Sequence, residues 1–368
     1  MNEEKLYQIA LSRVPKIGGA TVKNLVSYCG SAKGVFEAAT GKLGKVPGIG
    51  TILINNIKSH CDLETAQQEY EQVQKNNARI LFYTDKEYPN RLKQVYDAPP
   101  IIYVTGNSDF NKNKMVAIVG TRNATTYGRE FTEHIVNALS HHKATIVSGL
   151  AYGIDIAAHK AALKYNLPTI AVMASGLDIV YPAQHKSVAK DLQTNGALVS
   201  ENPIGTKADA HRFPARNRII AGMADAVIVV EAARKGGALI TAEIANSYNR
   251  DVFAVPGSVG ESFSEGCNYL IKTNKAHLLE RVEDIEYIMN WDKESSDVSN
   301  VPYIDMSTLP EKEKAIISLF DKNVKELVID DISWKSQIPV AETASLLLQL
   351  EFKGIIKSLP GKKYKVCY

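Results

Sequence analysis

From residue 115 to residue 258 the chain repeats one unit. A short run of apolar, β-favouring residues ends in a loop of glycine and polar groups, and most of these loops lead into a helix-like stretch. The runs lie at 115–119, 145–147, 169–173, 197–199, 226–230 and 252–255, with helical patterns between most of them at 128–140, 155–165 and 241–247. Continuous apolar runs of this length have no polar face to turn to water, so they read as strands buried on both sides. Strands alternating with helices predict an α/β core with a doubly wound, Rossmann-like parallel sheet. Further strand-like runs and the Tyr88-Pro89 turn lie between residues 80 and 104, before the sheet begins.

In an open sheet of this kind ligands bind outside the carboxyl ends of the strands. The loops at those ends are Gly120-Thr-Arg122, Ser148-Gly-Leu-Ala-Tyr-Gly153, Ala174-Ser-Gly-Leu-Asp178 before Tyr181-Pro182, Ser200-Glu-Asn-Pro203, Arg234-Lys-Gly-Gly237 after Glu231, and Pro256-Gly-Ser258. Glycine lets backbone N–H groups approach an anion, and a following helix N-terminus adds partial positive charge. The densest cationic stretch is Phe213-Pro-Ala-Arg-Asn-Arg-Ile-Ile-Ala-Gly222, read as a loop, which places Arg216, Asn217 and Arg218 beside an aromatic ring. Arginine forks match phosphate oxygens, and a ring stacks on a base. An internal ion-pair network is the competing explanation for such arginines. With Arg122, Arg234 and Lys235 on the same edge, the reading is a phosphate-rich ligand, nucleic acid foremost.

Catalytic constellations are sparse. No loop has the dinucleotide or phosphate-loop spacing, which disfavours a nicotinamide cofactor or an ATPase centre. Asp155 and His159 are four apart on one predicted helix but lack a third metal ligand, and Ser148 lacks the nucleophile-elbow pattern. No catalytic residue, metal or cofactor is expected. Glu243, after Gly236-Gly237, is the most interesting carboxylate.

Two further textures flank the core. Residues 1–75 read as short helices broken at Val14-Pro-Lys-Ile-Gly-Gly19 and Val46-Pro-Gly-Ile-Gly50, a helix-hairpin-helix (SAM-like) pattern whose second helices offer N–H groups to a phosphate. The core spans 76–290, a polar linker 291–309, and a third unit 310–368 with three helices and a hairpin, a winged helix. Its recognition-helix candidate at 340–352 has no basic residue and carries Glu342 and Glu351. Protein docking or a non-specific accessory role fits it better than base reading. Net charge is only +3, so any nucleic-acid surface is a local patch. Four dispersed cysteines, an acidic amino terminus without signal-peptide features and no long apolar run predict a cytoplasmic protein with no membrane segment.

Taken together, Val116-Ala-Ile-Val-Gly-Thr-Arg122, Val147-Ser-Gly-Leu-Ala-Tyr-Gly-Ile-Asp155 with Ala158-His159, Gly176-Leu-Asp178 with Tyr181-Pro182, the 213–222 stretch and Val252-Phe-Ala-Val-Pro-Gly257 resemble the DNA-processing protein DprA (Smf) family. The resemblance covers about residues 80–280, and the flanking regions look like that family's accessory domains. It implies a single-stranded-DNA-binding core, a homodimer, and a recombination mediator that protects incoming DNA in natural transformation and loads the RecA recombinase, with no enzymatic reaction. It also implies DNA contacts by Arg122, Gly149, Lys207, Arg212, Phe213, Arg216, Asn217, Arg218, Gly236 and Gly237. Many relatives carry lysine directly after Tyr-Pro; Ala183 stands there in this chain, and Lys186 is the expected substitute. The rival is an enzyme, because Gly236-Gly-Ala-Leu-Ile-Thr-Ala-Glu243 is similar to the signature of "Lonely guy" nucleoside-monophosphate phosphoribohydrolases, with Leu239 replacing a motif glycine.

Overall fold

The computed structural model of the chain describes residues 3–291, 309–320, 327–359 and 363–366. All but the end residues of the expected linker, and the wing turn at 360–362, lie outside them. The chain forms two compact units, Met1–Lys293 and Glu294–Tyr368.

The first unit is built on nine strands: β1 (Arg79–Phe82), β2 (Ile101–Gly106), β3 (Met115–Val119), β4 (Thr145–Ser148), β5 (Thr169–Met173), β6 (Gly196–Ser200), β7 (Ala226–Val229), β8 (Asp251–Ala254) and β9 (His277–Leu278). Their order is β1-β2-β6-β5-β4-β3-β7-β8-β9. β3 to β9 pair in parallel, while β2 runs antiparallel to both β1 and β6. The continuous apolar runs have the predicted cause. In β3, Met115, Ala117 and Val119 enter one core cluster, and Val116 and Ile118 enter another. β7 divides in the same way, with Val227 and Val229 on one face and Ala226 and Ile228 on the other. Successive side chains alternate across a strand, so a strand with helices on both faces must be apolar throughout.

The helices of residues 3–75 pack onto the same cluster as β1 and β2, with Ile9, Leu11, Val22 and Leu25 fully buried alongside Ile102. The two predicted hairpin turns share one backbone geometry. Ile17 N–H bonds Val14 O at 3.3 Å and Ile49 N–H bonds Val46 O at 3.1 Å. Lys16 (φ 64°) and Gly48 (φ 80°) take the matching left-handed position. Gly18 and Gly50 then cap the helices Gly19–Cys29 and Thr51–Ser59.

The second unit has helices Glu311–Ile317, Ile329–Ser336 and Val340–Phe352 and a sheet of β10 (Leu327–Val328), β11 (Ile356–Leu359) and β12 (Lys363–Val366), ordered β10-β12-β11 and antiparallel. This is a winged helix around Ile316, Ile332, Leu347 and Leu350. Its long helix exposes Val340, Leu348 and Phe352. The first cation after them, Lys353, is held by both carboxylate oxygens of the buried Glu313 at 2.7 and 2.8 Å.

Candidate functional site

The chain leaves β3 toward β4, β5 and β6 on one side, then crosses back to β7 and β8 on the other. A crevice opens at such a switch point because the loops after the two adjoining strands diverge. A cavity of about 460 Å³ occupies it, lined by Gly120, Thr121 and Arg122 after β3 and by Ala232, Ala233, Gly236 and Gly237 after β7. Its third wall is the 213–220 stretch.

That stretch is not the loop expected; it is the helix Arg212–Met223. Pro214 stands in the first turn, where its missing N–H breaks no helical bond. Helical periodicity then sorts the polar residues. Phe213, Arg216, Asn217 and Ile220 share the face that lines the cavity. Arg218, two residues from Arg216, projects elsewhere. It pairs with Glu201, donates to Asp97 O at 2.6 Å, and lines no part of the cavity. The expected convergence of Arg122, Arg216 and Arg218 therefore holds for the first two only.

Arg216 is 5% exposed and forms the cavity floor. Its Nη1 donates to Gly149 O at 2.5 Å and Val172 O at 2.6 Å, and its Nε to Asn217 Oδ1 at 3.1 Å. A Cβ on residue 149 would lie 2.5 Å from that guanidinium, so Gly149 makes room for Arg216, and it also lines the smaller cavity described below. Asp155, beside it, has its carboxyl pushed above the ordinary range by burial, opposed by the Arg216 charge and by the Ala151 and Gly149 N–H groups. His159 does not pair with Asp155; its Nδ1 meets Thr169 Oγ1 at 2.7 Å, and burial lowers its pKa to about 3.

Arg122 stands exposed at the mouth, its guanidinium 5.1 Å from the Phe213 ring centre, and Tyr181 lies 5.7 Å from the same ring. Arg122, Ala151, Phe213 and Arg216 also wall a smaller cavity of about 80 Å³, completed by Tyr152, Tyr181 and Pro182 among others. Tyr152 and Tyr181 were not among the predicted site residues; aromatic rings inside glycine-rich strand-end loops were the available signal. The Gly120-Thr-Arg122 loop is fixed by Glu231. The Glu231 carbonyl accepts from Thr121 N–H at 2.7 Å, and its carboxylate accepts from the Thr125 N–H at 2.9 Å and hydroxyl at 2.5 Å.

The remaining predicted residues divide. Gly236 caps the helix Gly237–Ser247, and both glycines border the cavity. Lys186 and Lys207 are exposed and line neither cavity, although Lys207 lies beside Ala208 of the small one. Arg212 donates to Asn202 Oδ1 at 2.6 Å and stays outside both. Glu243 pairs with Lys275 at 3.2 Å on the surface and does not reach the cavity. Among the described residues no group of His, Cys, Asp and Glu could hold a metal ion, and no helix is long and apolar enough to cross a membrane.

Residues 79–290 match the family described as DNA recombination-mediator protein A, and residues 307–362 match the DprA winged helix domain. The chain is 33% identical to Protein Smf of Synechocystis sp. across 99% of both chains. It is 44% identical to DNA processing protein DprA of Streptococcus pneumoniae over 51% of this chain and 66% of that one. The X-ray structure of the pneumococcal protein superimposes with a TM-score of 0.67 at 32% identity, covering 78% of this chain and 98% of that one. DNA processing protein A of Helicobacter pylori, whose structure is described for its single-stranded DNA binding mode, gives 0.53 at 28% identity over 58% of this chain and 95% of that one.

Proposed function

The chain belongs to the DNA recombination-mediator protein A (DprA/Smf) family, and from that premise we propose that it binds single-stranded DNA through the switch-point cleft and acts as a recombination mediator in natural transformation. The carrying observation is the pairing of Arg122 and Arg216 on one glycine-bordered cavity with Phe213, Tyr152 and Tyr181 beside them. Guanidinium groups meet the backbone, and rings accept bases whatever their identity. Duplex DNA hides its base faces and gains nothing from the rings. Loading of the RecA recombinase and assembly as a homodimer in the cytoplasm complete the reading. They rest on the family resemblance, as does the absence of a catalytic step. Titrating labelled oligo-dT and matched duplex at two salt concentrations tests it. Single strand should bind more tightly at both, with log affinity falling by about 0.7 per phosphate neutralised for each log unit of salt. Tighter duplex binding at both concentrations overturns it.

A further inference from the structure

The cleft holds more than a passing phosphodiester requires. A backbone phosphate carries one negative charge and is held by a surface groove. The cavity of about 460 Å³ is instead within the size range of sites that enclose a whole small ligand. Its floor is a guanidinium withdrawn from water. Arg216 is 5% exposed, its Nη1 and Nε are committed to protein acceptors, and its Nη2 has no acceptor among the described residues. That Nη2 keeps accessible surface toward the cavity, and the Asp155 charge compensates part of the guanidinium, so the open donor is free to meet an anion there. Arg122 stands at the mouth, and the N-terminal turn of the helix Gly237–Ser247 borders the wall. Among the described residues Asp155 is the one carboxylate lining the cavity. Against two arginines it leaves the cavity net positive.

We propose that this cavity is a phosphomonoester site, taking the terminal phosphate of a nucleotide, either a free mononucleotide or the end of a DNA strand. A terminal phosphate carries nearly two negative charges at neutral pH and three acceptor oxygens. It can therefore complete Arg216 Nη2 and engage Arg122 together, where a diester has one charge and two free oxygens. The inference rests on the single-strand reading and extends it: an internal strand segment crosses the mouth, and a strand end or mononucleotide enters.

The test uses the full chain and short oligo-dT probes of equal length that carry a 5′-phosphate, a 3′-phosphate or hydroxyls at both ends. At least one phosphorylated probe should bind about tenfold tighter than the hydroxyl probe, the equivalent of one charge-assisted hydrogen bond. Equal affinity of all three overturns the inference while leaving single-strand binding intact; failure of all three to bind overturns the single-strand reading itself. Competition by dTMP but not thymidine identifies a free nucleotide as an occupant, and a phosphate gain without dTMP competition identifies the strand end. Gly237→Asp supplies a second arm. A Cβ there meets nothing within 4 Å, and a carboxylate suits a helix start, so the fold is retained. The added charge should abolish the phosphate preference; an unchanged preference in the folded variant counts against the cavity as the site.

Discussion

Arg218 separates structural cations from ligand-binding ones, and its removal should lower stability rather than affinity. Its guanidinium pairs with Glu201 and donates to Asp97 O, while burial pushes the Glu201 carboxyl above its usual range and the Arg218 charge opposes that shift. In Arg218→Met the carboxylate is left without its partner. Removing one member of a fully buried pair costs about 3–5 kcal/mol; with both side chains 20% exposed, about 2–3 kcal/mol is expected here. For a unit of this size that corresponds to a melting point lower by roughly 3–5 °C. Adding Glu201→Gln removes the unpaired charge and should recover at least half of the loss. Oligo-dT affinity, measured well below the melting transition, should stay close to wild type. An Arg218→Met protein that melts normally and binds oligo-dT more than about tenfold worse would place Arg218 in the interface and refute the reasoning.

Arg122→Ala should do the reverse, weakening oligo-dT binding by about 1–3 kcal/mol with an unchanged melting point, because the side chain is exposed and its nearest ring contact is Phe213; fluorescence anisotropy and circular dichroism read the two effects. Gly149→Ala should cost about 1–3 kcal/mol of stability and displace Arg216, because its Cβ would lie 2.5 Å from the guanidinium; paired melting and binding curves check it. His159, with a folded pKa of about 3 against 6.5 unfolded and with His185 and Arg216 opposing its charge, should contribute stability in full above pH 6.5 and lose it as pH falls toward 3. His159→Asn should flatten the urea-measured stability slope there by up to about 1.4 kcal/mol per pH unit, with Asp155, whose carboxyl is shifted up, acting in the opposite direction. Ending the chain at Ser296 should leave oligo-dT affinity within a few fold, since the long helix of the winged unit exposes Val340, Leu348 and Phe352 and offers no cation before the committed Lys353; loss of binding by a folded first unit would make the winged helix a principal DNA site.

The sheet was legible because its signal is local. Each of the six strands read from the sequence is built on an apolar run whose physical cause is burial in the core, whereas β9, His277–Leu278, is exposed and carries no such signal. The 213–220 segment was not: its cationic run was read as a loop, although the spacing 213, 216, 217, 220 is helical and a first-turn proline leaves a helix intact. That error carried into the site: in a loop, three polar residues in a row can converge, whereas in a helix Arg216 and Arg218 lie about 200° apart. Glu201, the partner that claims Arg218, lies 17 positions away in sequence, and no local pattern joins the two.

Glycine density was the feature from which an anion site was inferred, and the structure divides its meaning. A Cβ at Gly149 would meet the Arg216 guanidinium at 2.5 Å, and one at Gly128 would meet the Glu231 carboxylate at 2.2 Å. Those glycines accommodate the protein's own charges: one admits the cation of the cavity floor, the other the anion that fixes the Gly120-Thr-Arg122 loop. At Gly237 a Cβ meets nothing within 4 Å, which leaves that position open to a ligand. Sequence cannot tell the two kinds apart, since Gly149 and Gly237 alike belong to a glycine-rich segment that follows a strand and leads into a helix. They serve one end, however. A loop whose carboxylate and cation are already seated keeps its N–H groups and arginines in place before a ligand arrives, so little ordering is required on binding. The cleft therefore combines charges bound by the fold with positions left free, and Arg216, pinned by Nη1 and Nε and open at Nη2, belongs to both.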